Sequence, residues 1–292
     1  MTRPAIQLHS VRDLSESLPA VLHRVKTAGF EGVEFAGRLQ TADPAAVADA
    51  LDDTGLTPVG VHVDLTALES ERQRQRELCE EISCSRVIVP HLPAIHFRTT
   101  PRVRNLAARF RHVAADLARH DIELLYHNTR YDLSPPLQRP GVEQIVTRGL
   151  VPGPIEGRVL EPLRRKQHSR AVAETGIGYL AEYTEPSMVQ FELDTGEIVA
   201  ADHDHDRVFD FFSDRLPLVH VCDVTGPERS YCSTSPGTGV LDFQRVFAAA
   251  EDNDVEWMVY EHDHPEDPGE TIQRGAETVV SRAREGQPTP VR

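Results

Sequence analysis

Eight short apolar runs, each followed by a longer stretch with helical periodicity, constrain this chain more than any other feature. The runs are Ala5 to Leu8, Gly32 to Phe35, Pro58 to Val63, Arg86 to Val89, Ile122 to Tyr126, Met188 to Leu193, Leu216 to Val221 and Val255 to Tyr260. Helix-like stretches lie between them: Leu18 to Ala28, Pro44 to Thr54, Glu69 to Ile82, Val103 to His120, Ala171 to Tyr183, Arg207 to Asp214 and Phe243 to Asp252. Glu270 to Arg284 follows the last run. Strand then helix, repeated, predicts parallel strands joined by right-handed crossovers, and eight such units predict closure into a barrel. A (β/α)8 barrel takes about 250 residues, so 292 suit one domain. The expected class is α/β: a single TIM barrel over residues 1–285 with an insertion after strand 5, then a C-terminal tail over 286–292.

The insertion breaks the rhythm. Residues 134–170 carry Pro135-Pro136, Pro140, Pro152-Gly153-Pro154 and the basic stretch Arg164-Arg165-Lys166. Following the fifth strand, the segment is expected on the catalytic face, as a lid, a substrate wall or a dimer arm, with plain disorder as the alternative.

Hydrophobic residues make up 39% of the chain, and no apolar stretch approaches the roughly 18 residues of a bilayer span. Met1-Thr2-Arg3-Pro4 does not lead into a signal peptide, so a soluble, cytoplasmic protein is expected, with homo-oligomers left open. Cys79, Cys84, Cys222 and Cys232 show neither zinc-finger spacing nor disulfide-scaffold density, and reduced thiols are expected. The net charge is -15, and Lys26 and Lys166 are the only lysines. An acidic, lysine-poor surface fits a halophilic cytoplasm, where salt screens self-repulsion; GC-rich coding explains arginine over lysine equally simply. Such a charge weighs against nucleic acid as a partner.

In a barrel, residues at the C-terminal ends of strands converge over one mouth. Three apolar runs end in metal-competent side chains, Asp194, His220 and Glu261, an oxygen and nitrogen set suited to a divalent cation. Glu34, His62, His91 and His127 stand at the ends of the second to fifth strands. Gly237 and Gly239 precede a helix near Asp242, an arrangement whose free amides suit an anion. Scarce lysine and the lack of a Walker or Rossmann fingerprint weigh against a phosphorylated substrate. Asp202-His203-Asp204-His205-Asp206 reads as a solvated acidic loop before it reads as a second metal site.

These residues fall in segments that resemble the sugar phosphate isomerase/epimerase group of xylose isomerase-like barrels, related to tagatose and allulose 3-epimerases, inosose dehydratases and endonuclease IV. Ile6-Gln7-Leu8-His9-Ser10-Val11-Arg12-Asp13 is similar to the opening strand, and Ala28-Gly29-Phe30-Glu31-Gly32-Val33-Glu34-Phe35 to the second-strand motif. Leu193-Asp194-Thr195-Gly196 resembles the sixth-strand metal motif. Val219-His220-Val221-Cys222-Asp223 with Gly237-Thr238-Gly239-Val240-Leu241-Asp242-Phe243 resembles the stretch after it, and Val259-Tyr260-Glu261-His262-Asp263 the closing motif. The likeness covers most of the chain outside residues 134–170.

The resemblance implies that Asp194, His220 and Glu261 are metal ligands for Mn2+, Mg2+, Co2+ or Zn2+. A fourth ligand is implied from Tyr126-His127-Asn128-Thr129-Arg130-Tyr131-Asp132-Leu133, where either His127 or Asp132 completes the shell. Thr129 stands at a second histidine of that motif, Asp132 and Leu133 replace Glu-Phe, Cys222 replaces a common lysine, and Glu197 stands where an aromatic is common. The implied activity is metal-dependent isomerisation or epimerisation of a ketose through an enediolate, with Glu261 as base and Asp132 as acid/base on the opposite face. Glu34, His62, His91, Gly237 and Gly239 are the expected substrate contacts. An inosose-type dehydratase on the same metal, and a sugar-binding barrel that has lost its chemistry, are the alternatives. Endonuclease activity is disfavoured, because Glu197 occupies the spacing of an extra metal-binding histidine.

Overall fold

Every apolar run forms a strand. The computed structural model describes residues 2–137, 171–226 and 233–285, and within them β1 (Arg3–Gln7), β2 (Gly32–Phe35), β3 (Thr57–His62), β4 (Arg86–Val89), β5 (Glu123–His127), β6 (Val189–Asp194) and β7 (Leu218–Val221) follow in order. A short antiparallel ribbon, β8 (Asp223–Val224) with β9 (Ser233–Thr234), precedes β10 (Trp257–Tyr260). β1 to β7 and then β10 pair in sequence, all parallel, and β10 closes back on β1. The barrel is thus a closed (β/α)8 TIM barrel. Residues 138–170 of the insertion expected over 134–170, its basic stretch, Cys232 and the tail over 286–292 lie outside the described residues.

Local chemistry sets the helix ends. Ser17 accepts a hydrogen bond from Ala20 N at the start of Leu18–Ala28, and Gly29 ends that helix at φ 99°, a left-handed conformation that glycine adopts without a Cβ clash. Three sequence expectations change. The stretch Glu69 to Ile82 is two helices, Leu65–Ser70 and Arg72–Glu81, because Glu71 leaves helical geometry between them. Glu270 to Arg284 begins at Pro268 and contains a π-helical turn over Ala276–Val280. A helix at Thr195–Ala200 starts directly after β6, capped by the Asp194 carboxylate.

Two apolar layers hold the barrel. The outer one packs strands against helices; the inner one is a plug of Ala5, Val59, Ile88, Leu125, Leu218, Trp257 and Val259, all buried. Trp257 needs the space that Gly32 leaves, since a Cβ on Gly32 would lie 2.6 Å from its ring. Above this plug, toward the C-terminal strand ends, the inward positions turn polar: Gln7, Glu34, Glu192, Asp194 and His220 are all buried.

Candidate active site at the barrel mouth

The strand period of two decides which side chains enter the barrel. On β6, Glu192 and Asp194 share the inward face. On β7, His220 follows Leu218, and after β10, Glu261 follows Val259. His127 enters from β5 two residues beyond Leu125.

Four donors meet at the mouth. His127, Asp194, His220 and Glu261 each offer a ligand atom, all within 4.8 Å of one another. His127 Nε2 lies 3.2 Å from His220 Nδ1, which lies 2.8 Å from Glu261 Oε2. Ligands about 2.0–2.3 Å from one cation stand roughly 3–4 Å apart, so this set fits a single divalent ion. Asp194 gives one oxygen to Glu197 N at 2.6 Å, and its own amide donates to Asn128 Oδ1 at 2.8 Å, which fixes the carboxylate in place.

The electrostatics fit the same ion. Burial, aided by the neighbouring His220, lowers His127 to about 3, leaving it neutral with a lone pair to give. Burial and the nearby Glu261 and Glu197 charges push Asp194 well above the carboxylate range, a strain that a cation relieves. Glu261 goes the other way: against its burial, His220 pulls it down to about 2. His220 itself is raised well above the imidazole range, because Glu192, Glu34 and Glu261 outweigh its burial.

Over these donors opens a cavity of about 390 Å3. Gln7, His9, His62, His91, Asn128 and Thr129 line it beside His127, Asp194 and Glu261, with Glu197 and Asp263 also in its wall, while His220 lies buried behind them. Burial and the Glu261 charge hold Asp263 at about 7, where a carboxyl both gives and takes protons at neutral pH.

No protein-family model and no curated protein matches the sequence. Solved structures match it along almost its whole length. A sugar phosphate isomerase/epimerase from Parabacteroides distasonis superposes with a TM-score of 0.71 at 17% identity, covering 95% of this chain and 93% of the other. The protein IolI, crystallised with a bound zinc atom, gives 0.71 at 11% identity over 99% and 100%. The 3-keto-D-glucoside 4-epimerase YcjR from E. coli gives 0.65 at 17% identity over 96% and 100%. The (β/α)8 barrel fold is the one that these sugar phosphate isomerase/epimerase and xylose isomerase-like structures share with the chain.

Within the barrel, several residues singled out in the sequence are absent from the cavity lining. Asp132 is fully buried beneath the loop after β5, where its Oδ2 accepts from the Tyr126 hydroxyl and, at 2.9 Å, from Thr129 N. It is not among the residues that line the cavity or that gather as donors at the mouth, unlike the opposite-face acid/base expected there. Glu34 is fully buried and absent from the cavity lining; its carboxylate receives Gln7 Nε2 at 3.1 Å, His62 Nε2 at 2.8 Å and His220 Nε2 at 3.0 Å. The Gly237 and Gly239 amides already hold an anion of the chain's own: both donate to Asp223 Oδ2, at 2.9 and 3.0 Å. His62 and His91 do line the cavity.

The acidic loop after β6 is tied down by protein contacts. Arg245 bridges Asp204 and Asp206 at 2.6 and 2.7 Å, while the imidazoles of His203 and His205 bond the carbonyls of Leu133 and Thr195. Glu192 was missed in the sequence. It hides in an apolar run, and its only signal is its place two residues before Asp194. Among the described residues, no helix is long and apolar enough to cross a membrane.

Proposed function

We propose that this chain is a divalent-metal-dependent isomerase or epimerase acting on a ketose or related polyol-derived sugar. The observation that carries the reading is the quartet His127, Asp194, His220 and Glu261, whose donor atoms lie within 4.8 Å of one another and three of whose members line a polar cavity of about 390 Å3. Zinc in the IolI structure and the epimerase activity named for YcjR support it from the same fold. When bound, Mn2+, Mg2+, Co2+ or Zn2+ supplies Lewis-acid polarisation of a carbonyl and its neighbouring hydroxyl.

The chain's own groups do the rest. His62, His91 and the Asn128 amide orient hydroxyls from the cavity wall. Glu261, held ionised beside His220, takes the proton from carbon. Asp263, two residues on and in the same cavity, is the second group able to move a proton near neutrality. The plug below the mouth keeps bulk water out from beneath.

Metal-depleted protein should recover one equivalent of divalent ion and turn over a member of a ketose and inosose panel, whereas Glu261→Gln should retain the barrel and lose turnover. A protein that binds no divalent ion and gains no thermal stability from Mn2+ would instead be a sugar-binding barrel without this chemistry. A second reading, loss of a hydroxyl from the same substrate class as in a dehydratase, is favoured by the burial of Asp132, since elimination needs no Asp132 on the opposite face. Product analysis on the panel separates the two.

A further inference from the structure

Beneath the metal donors, side chains from β2, β3, β6 and β7 close a ring. His220 Nε2 lies 3.0 Å from both Glu34 Oε1 and Glu192 Oε1; His62 Nε2 lies 2.8 Å from Glu34 Oε1 and 3.3 Å from Glu192 Oε2. Two imidazole donors thus alternate with two carboxylates. The two imidazoles are stacked 10° from parallel, 6.0 Å between centroids. Glu34, Glu192 and His220 are fully buried, and the His62 side chain is only 10% exposed. No water reaches Glu192 to justify a glutamate in the middle of an apolar strand; its two partners do.

The four side chains have the composition of an ion site, but His220 rules that use out alongside the mouth quartet. Its Nδ1 faces Glu261 and His127, and its Nε2 faces the ring. Serving a cation on each side would require an imidazole stripped of both protons. With carboxylates on the Nε2 side, the proton stays on Nε2 and the lone pair is left on Nδ1.

We infer that Glu192 is a positioning residue which, with Glu34, holds the Nε2 proton of His220 and so presents Nδ1 to the metal at the mouth. This rests on the metal reading above. The Nε2 hydrogen bond runs to Glu34 Oε1, and Glu192 Oε1, at the same 3.0 Å, adds a second carboxylate charge facing that proton. Carboxylate partners of this kind fix the tautomer and ring orientation of a ligating histidine and raise its basicity, and their loss typically weakens metal binding 10- to 100-fold. Glu34 shares the task but is also bonded by Gln7; Glu192 has only the two histidines, which makes it the cleaner probe.

The test is a titration of wild-type and Glu192→Gln protein with Co2+ alone, followed by visible absorption, beside thermal melting of the metal-free proteins. Wild type is expected to bind one Co2+, and the variant to bind it roughly 10- to 100-fold more weakly with its metal-free melting temperature unchanged or raised. Equal Co2+ affinity in the two proteins overturns the inference while leaving the metal reading intact. Two ions in wild type and one in the variant overturn it in favour of an ion site in the ring. Failure of wild type to bind Co2+ sinks the metal reading itself. A second measurement needs neither the variant nor a metal: in wild type labelled with 15N histidine, the neutral His220 ring should carry its proton on Nε2, and a neutral ring protonated on Nδ1 overturns the inference.

Discussion

His220 Nδ1 and Glu261 Oε2 lie 2.8 Å apart on neighbouring strands, a hydrogen-bonded contact between a buried imidazole and a buried carboxylate. A metal that uses both must first displace the proton between them. Because Glu192, Glu34 and Glu261 raise His220 well above the usual imidazole range, that proton is present at neutral pH. Divalent-ion affinity should therefore climb with pH, by up to about tenfold per unit for one released proton. Mn2+ titrations between pH 6 and 8, in buffers of different ionisation enthalpy, should show both the climb and the proton. A flat affinity would mean that His220 is no ligand.

Asp132 has a separate signature in stability. Burial raises it from 3.8 to about 7, even though Tyr126 and Thr129 bond its charged form. The folded protein then holds a proton that the unfolded chain releases, so the contribution of Asp132 to stability is fully present below about pH 4, is lost as pH rises toward 7 and levels off above. The span is on the order of 4 kcal/mol. Asp132→Asn keeps an oxygen for both donors and stays neutral, so its unfolding free energy should lack this decline and exceed wild type at pH 8. Urea unfolding across pH 5 to 8 measures it.

How much of this was legible follows from what each residue depends on. The eight strands were, because each apolar run reports its own burial. The strand-end positions of Asp194, His220, Glu261, His62 and His91 followed from them. Asp132 was not legible, since the turn after β5 rather than the strand decides where it points, and Tyr126 draws it inward. Nor were the glycine amides: their partner Asp223 lies 14 and 16 residues upstream. Glu192 was hidden because hydropathy averages a lone charge into its apolar neighbours, and only its inward register reveals two histidines across the barrel.

Gly32 should be intolerant of even one methyl group. Its added Cβ would lie 2.6 Å from both the Trp257 ring and Val59 Cγ1, in a plug with no free space. Gly32→Ala is expected to cost about 1–3 kcal/mol. A thermal melt checks this, and the metal stoichiometry of the surviving folded fraction should be unchanged because the donors sit a layer above.

Asp223 should matter more to the loop after β7 than to any ligand. It accepts from the amides of Val224, Gly237, Gly239 and Leu241 at 2.9 to 3.1 Å. Asp223→Ala strands those donors and is expected to cost about 3 kcal/mol or more. Wild type should gain no thermal stability from millimolar inorganic phosphate, because the place where a phosphate would sit is filled. A clear upward shift would show that an anion binds after all.

The Trp257 plug has a further effect on the chemistry above it. With Ile88, Leu125, Leu218 and Val259 also fully buried, apolar packing closes the barrel below its mouth among the described residues. Every proton in the ring of Glu34, His62, Glu192 and His220 must enter and leave past the metal donors. A sugar seated over the mouth would cork the barrel and cut these groups off from solvent for as long as it stays. A hydrogen lifted from its carbon would then be handed back from a closed stock, and deuterium from the medium would enter the product only as fast as the cork is drawn.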